Sequence, residues 1–364
     1  MRLIVEFGIY YSFLPQQCQE GFDEFFRQAK IFFSGVLIHA RIWYNKSVQI
    51  SAGNGADRRV RIGELKMKTK CAFWVAGVGV LLGAALRCIQ MLFFFDYDTG
   101  FVTDSGMLTI LYSGVTLVAA VVSGVLCLAD RRRCGSLLRG RSWSAGVSAL
   151  LVGVFLLLCA AALFWDAYIY RAFGVSYFVL PSQVGAHVPF AVFTALFGAA
   201  AVAAAVLWMR GKAFPGKAGV LWALGVVWGV GYMLLTFMLY SASATTVENL
   251  YTVGGGAAML FFLLAEGKLL SGVGGRNTAR TAFVFGLPAV VLWLTYVLSN
   301  TVLIVAGRGY ATEMPYAIQL AMLAVCIHIL ALLFALQGEI FKPAAPEHVP
   351  AHEKKAGSRA DSVK

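Results

Sequence analysis

The chain has 364 residues, 59% of them hydrophobic and only 13% charged, against about 25% charged in an ordinary soluble domain, so there is too little polar surface to cover a water-soluble globule of this size. A formal charge of +12 would point to nucleic acid in a soluble protein, but the basic residues lie between apolar runs, which argues against that partner. Seven cysteines, without a C-x-x-C pair and mostly inside apolar runs, imply packing rather than a disulfide framework or a zinc site.

Residues 1–66 differ in composition from the rest of the chain. They are richer in Gln, Arg and Phe, and contain no run long enough to span a bilayer. The segment 22–45 mixes apolar and charged residues like an interfacial helix, and "SAGNGADRR" reads as a loop. In "GELKMKTK" the Gly63-Glu64 codons can spell a bacterial ribosome-binding sequence two codons before Met67. We therefore expect a leader at 1–66, either amphipathic or not translated, with initiation at Met67.

A hydrocarbon core about 30 Å thick needs about 20 apolar residues in a helix. Eight such runs occupy about 71–95, 105–129, 143–165, 186–209, 218–241, 249–270, 282–306 and 315–338. They are continuous rather than alternating, so helices are expected and a barrel is not. The first is too long for a cleaved signal peptide and ends in "FFFDYD" without a small-residue cleavage site. Alternation places nineteen Lys and Arg on one side (Lys66, Lys68, Lys70, the turn 131–141, Arg210 to Lys217, Lys268 to Arg280, and the tail) and only Arg171 and Arg308 on the other. By the positive-inside rule both termini are cytoplasmic. The tail 342–364, rich in Pro, Ala and charge, has nothing to bury and is expected to be disordered.

Few polar residues fall within the runs. Arg87 lies about eight residues, or about 12 Å, from the outer end of its helix; an interhelical pair, with a carbonyl or an outer acid such as Glu248, is preferred over a substrate-anion or gating role. Gln90, one turn on, shares its face. His328 stands near the middle of the last run, where a neighbouring helix is expected to satisfy it in preference to a proton-relay or cation-binding role. Asn300 and Gln319 are expected to bond between helices, and Glu266 with Lys268 to reach the inner interface. Arg87, Gln90, Asn300 and His328 form the candidate intramembrane polar site.

Gly79 with Gly83, and Gly225 with Gly229, make G-x-x-x-G pairs that imply close packing. Gly254 to Gly256 admit packing or a broken helix, and Pro288 a kink. The loop "DYDTGFVTD" contains the aspartic-protease triplet and a D-x-D, but the first chemistry needs two carboxylates on another scaffold and an EF-hand needs a Glu at its twelfth position; a turn explains it. H-E-x-x-H, G-x-G-D and G-x-S-x-G are absent. The second and sixth runs both open on Leu-Tyr (Leu111-Tyr112, Leu250-Tyr251), but unequal spacings to the acids beyond them, Asp130 and Glu266, do not make a repeat.

With Arg87, Gln90 and the turn Asp98-Thr99-Gly100-Phe101, closed by Arg131 to Arg133 after the second run, the first hairpin resembles that of uncharacterised multi-pass membrane proteins of Firmicutes-type bacteria. The resemblance implies a bacterial cytoplasmic (inner) membrane and no particular activity. The sequence thus predicts an all-α polytopic bundle in a lipid bilayer, without cofactor. It is either non-enzymatic, meeting an unidentified membrane or cytoplasmic protein partner through its loops or tail, or a transporter or channel with a polar cavity near Arg87 and His328.

Overall fold

A computed structural model describes residues 57–96, 103, 106–129, 143–177, 179–210, 221–240, 246–271, 277–307 and 314–340, with side chains from Thr69 to Gln337. The expected interfacial segment 22–45, the basic turn 131–141 and the tail lie outside the described residues.

The fold is all-α. Among the described residues, eight helical segments are long and apolar enough to cross a membrane: Thr69–Phe93, Met107–Leu128, Trp143–Phe173, Pro181–Met209, Ala223–Tyr240, Leu250–Ser271, Thr278–Val305 and Tyr316–Gln337. We label the helices that carry them α1 (Asp57–Phe93), α2 (Met107–Leu128), α3 (Trp143–Phe173), α4 (Val184–Met209), α5 (Ala223–Leu235), α6 (Gly255–Ser271), α7 (Thr278–Val305) and α8 (Tyr316–Ile340). The unit Leu65–Lys364 holds all eight spans. Helix is the form that satisfies every backbone group within one segment, which an apolar solvent demands. The end of the bundle where the first span starts is called proximal, and the other end distal.

Neighbour relations close on themselves. α4 packs on α3, α3 on α8, α8 on α7, α7 on α6, α6 on α5, and α5 back on α4. Six helices therefore form a ring, and α2 lies against α7 beside it. α1 completes this flank through the ring of Phe73, which meets Phe283 of α7 and Phe334 of α8 at centroid distances of 6.3 and 4.6 Å. The G-x-x-x-G face of α1 is where it meets α2. A Cβ at Gly79 would stand 2.2 Å from Ala119 Cβ, and one at Gly83 2.4 Å from Thr116 Oγ1, so only glycine permits this approach.

The axis of the ring is filled by aromatic side chains. From the proximal end, Trp208, Trp222, Phe197, Trp228, Tyr232, Trp293 and Tyr296 succeed one another at centroid distances of 5.4 to 6.4 Å. Gly255 and Gly256 sit beneath this column: a Cβ there would meet the Trp293 indole at 2.8 Å and the Tyr232 ring at 2.7 Å. The glycine triplet therefore serves packing, and the chain through it stays helical.

Three features differ from the sequence expectation. α3 continues to Phe173, eight residues past the expected limit, for a length of about 46 Å. Its exposed Trp165, Tyr168 and Phe173 occupy the distal belt where aromatic residues settle at a membrane interface. Asp166, one residue past the expected end of the third run, lies within this helix and is buried, accepting bonds from Ser176 Oγ and the Tyr177 N–H at 2.6 Å each. Third, π-helical turns at Thr236–Tyr240 and Leu250–Gly254 widen the distal ends of the fifth and sixth spans and touch each other.

Candidate functional site

The four residues singled out by sequence occupy three separate places. Arg87 and Gln90 lie at the distal end between α1, α2 and the sixth span. Arg87 is 1% exposed. Its Nη2 donates to Glu248 Oε1 at 3.1 Å and its Nη1 to the Tyr112 hydroxyl at 3.4 Å. The guanidinium carbon stands 5.7, 5.7 and 5.3 Å from the ring centroids of Tyr112, Tyr251 and Tyr296. Three aromatic faces and a carboxylate thus enclose one cation. Such cation–π contacts contribute about 0.5–1 kcal/mol each when exposed and about 2 when desolvated. The Leu-Tyr pair that opens both the second and the sixth runs places two of these rings, stacked 6.2 Å apart. The π-turn Leu250–Gly254 carries Tyr251, three residues after Glu248, into this position. Gln90 donates to Thr109 Oγ1 on α2.

Asn300 forms a second, independent pair. Its Nδ2 donates to Gln319 Oε1 at 3.0 Å, and Gln319 Nε2 donates to the Met314 carbonyl at 3.1 Å, which ties α7 to the start of α8.

His328 lies inside the ring, toward the proximal end. Its Nδ1 is 2.9 Å from Ser148 Oγ on α3, and its Nε2 is 2.8 Å from Glu266 Oε1 on α6. The indoles of Trp208 and Trp222 wall the imidazole at centroid distances of 6.1 and 5.9 Å. Four other helices or their flanking turns therefore converge on one side chain of α8. Glu266, expected at the interface with Lys268, is instead wholly buried, and its Oε2 has no hydrogen-bond partner. The helix periodicity is the reason: Glu266 shares the buried face of Met259, Phe262, Leu263 and Leu270, so the turn that exposes Lys268 points the acid inward.

Sequence reasoning missed Glu266, Ser148 and the tyrosines. Glu266 stands five residues inside the end of α6, a depth at which an ionisable residue marks a partner. Ser148 and the tyrosines carry no such signal, since hydroxyls are ordinary in apolar helices.

Ser148, His328 and Glu266 have the composition of a hydrolase triad, yet the arrangement does not act as one. Ser148 is buried and its hydroxyl also reaches the Ala145 carbonyl of its own helix at 3.1 Å, so a substrate carbonyl has no approach to Oγ. Among the described residues there is no group of three His, Cys, Asp or Glu arranged to hold a metal. A groove of about 230 Å3 between α6 and α7 is lined by Phe261, Ala265, Lys268, Thr278 and Thr281; neither Arg87 nor His328 lines it. No protein-family model matches the chain, and neither a curated protein nor a solved structure is significantly similar to it.

Proposed function

We propose that this multi-pass membrane protein is non-enzymatic, that it belongs in a bacterial cytoplasmic membrane with its proximal end and both termini inside, and that Arg87 clasps the bundle rather than binding a substrate. The enclosure of the guanidinium carries the reading. Its faces and two of its nitrogens are taken by Tyr112, Tyr251, Tyr296 and Glu248, and its Nε is buried without a hydrogen-bond partner, so a substrate anion would have to displace Glu248 to pair with the cation. The aromatic column between Arg87 and His328 supports it further, because a shared hydrated cavity would need that space. The bacterial location rests on the first hairpin's resemblance and on the basic residues of the proximal connections.

The rival reading, a transporter, is favoured by one observation: Glu266 presents a buried oxygen without a partner beside a histidine. Uptake into proteoliposomes distinguishes the two. We expect vesicles containing the protein to take up protons, alkali cations and small organic anions no faster than empty vesicles. Uptake that depends on the protein and is lost in Arg87→Ala would overturn the clasp.

A further inference from the structure

Hydrogen counting at the centre of the ring gives a result that the clasp does not require. The Ser148 hydroxyl has one hydrogen and two neighbours, the Ala145 carbonyl at 3.1 Å and His328 Nδ1 at 2.9 Å. If it donates to the carbonyl, which can only accept, then Nδ1 must carry a hydrogen and donate to Oγ. With a second hydrogen between Nε2 and Glu266 Oε1, the His–Glu pair is then neutral overall. If the hydroxyl turns to donate to Nδ1 instead, the pair holds one hydrogen fewer and a net negative charge. With Glu266 ionised, the two hydroxyl positions therefore correspond to two proton counts.

We infer that Ser148, His328 and Glu266 form a binding site for one proton at the centre of the six-helix ring. In the loaded form the imidazolium donates from Nδ1 to Ser148 and from Nε2 to the Glu266 carboxylate. On release, the Nδ1 proton passes to water, the ring remains neutral with its hydrogen on Nε2, and the Ser148 hydroxyl rotates from Ala145 to Nδ1. The surroundings make this proton the site's own countercharge. The helices carrying Trp208 and Trp222 face the ring with indoles, and α3 faces it with a hydroxyl. α7 meets α8 through Gly286, against Ile329 and Leu333. Glu266 is thus the charged side chain that the described residues set against His328, and its Oε2, buried and without a hydrogen-bond partner, has the proton on His328 as its compensation. A buried carboxylate without a countercharge is strongly disfavoured.

The test is a pH titration of the full-length protein in lipid nanodiscs, with 15N-labelled histidine read by NMR and His328 assigned by its loss in His328→Gln. We expect the His328 ring to pass from doubly to singly protonated as the pH is raised, and Glu266→Gln to abolish the doubly protonated form. Ser148→Ala removes the oxygen that accepts from Nδ1 in the loaded form, and should move the midpoint of that change. A ring that keeps one protonation state throughout overturns the site, as does a transition that Glu266→Gln leaves in place. Should Glu266→Gln fail to fold, a Ser148→Ala midpoint equal to that of the wild type overturns it equally. None of these outcomes depends on proteoliposome uptake, so the site and the clasp fail separately.

Discussion

Arg87 and Glu248 show how differently the two ends of one ion pair are held. The arginine side chain is 2% exposed and the glutamate 18%, so the pair runs from the protein interior to the distal surface. Removing one partner of a buried pair costs about 3–5 kcal/mol, whereas replacing both with apolar groups is often nearly neutral. We expect Glu248→Ala to lower the thermal stability of the detergent-solubilised protein, and Arg87→Met combined with Glu248→Leu to recover most of the loss. Tyr296→Phe keeps the ring over the guanidinium and should be close to wild type, while Tyr296→Leu should cost about 1–2 kcal/mol in the same melt. The sequence made Arg87 legible because an arginine in an apolar run is conspicuous. It left Glu266 misread because an acid five residues from a helix end looks interfacial until its face is known, and the face is set by packing with Phe262 and Leu270.

Helix α1 depends on what its glycines leave out. A methyl group at Gly79 would overlap Ala119 Cβ, and overpacking of this kind typically costs about 1–3 kcal/mol. Gly79→Ala should therefore destabilise the α1–α2 contact, and adding Ala119→Gly should restore part of the loss, measured as the melting temperature of single and double variants. A G-x-x-x-G pair is readable from spacing alone, and its partner is not. The π-turns of the fifth and sixth spans were invisible for a related reason. Nothing in "TFMLY" or "LYTVG" departs from ordinary helical composition; the wider turns accompany a tertiary need to aim Tyr240 at His187, 2.7 Å away, and Tyr251 at Arg87.

At the scale of the whole molecule, number and type of element were legible because a bilayer imposes a length on every apolar run. The closed order of helices was not, since it depends on contacts between segments far apart in sequence. The proposed orientation makes a plain prediction. A cysteine introduced at Tyr177, on the distal side, should react with an impermeant maleimide added to intact cells, while one at Lys268 should react only after the membrane is opened. The reverse pattern would invert the topology.

Ring closure also sets a timetable. Glu248 lies 161 residues after Arg87, and ribosomes add about 5–20 residues per second, so an arginine already synthesised waits about 10–30 s before its carboxylate exists. During that interval the first hairpin must hold a cation with Tyr112 as the one member of its final enclosure already made. Arg87 is thus a late-binding element of a chain that inserts early, and its enclosure is completed by the arrival of the sixth and seventh spans around a charge that has been waiting for them.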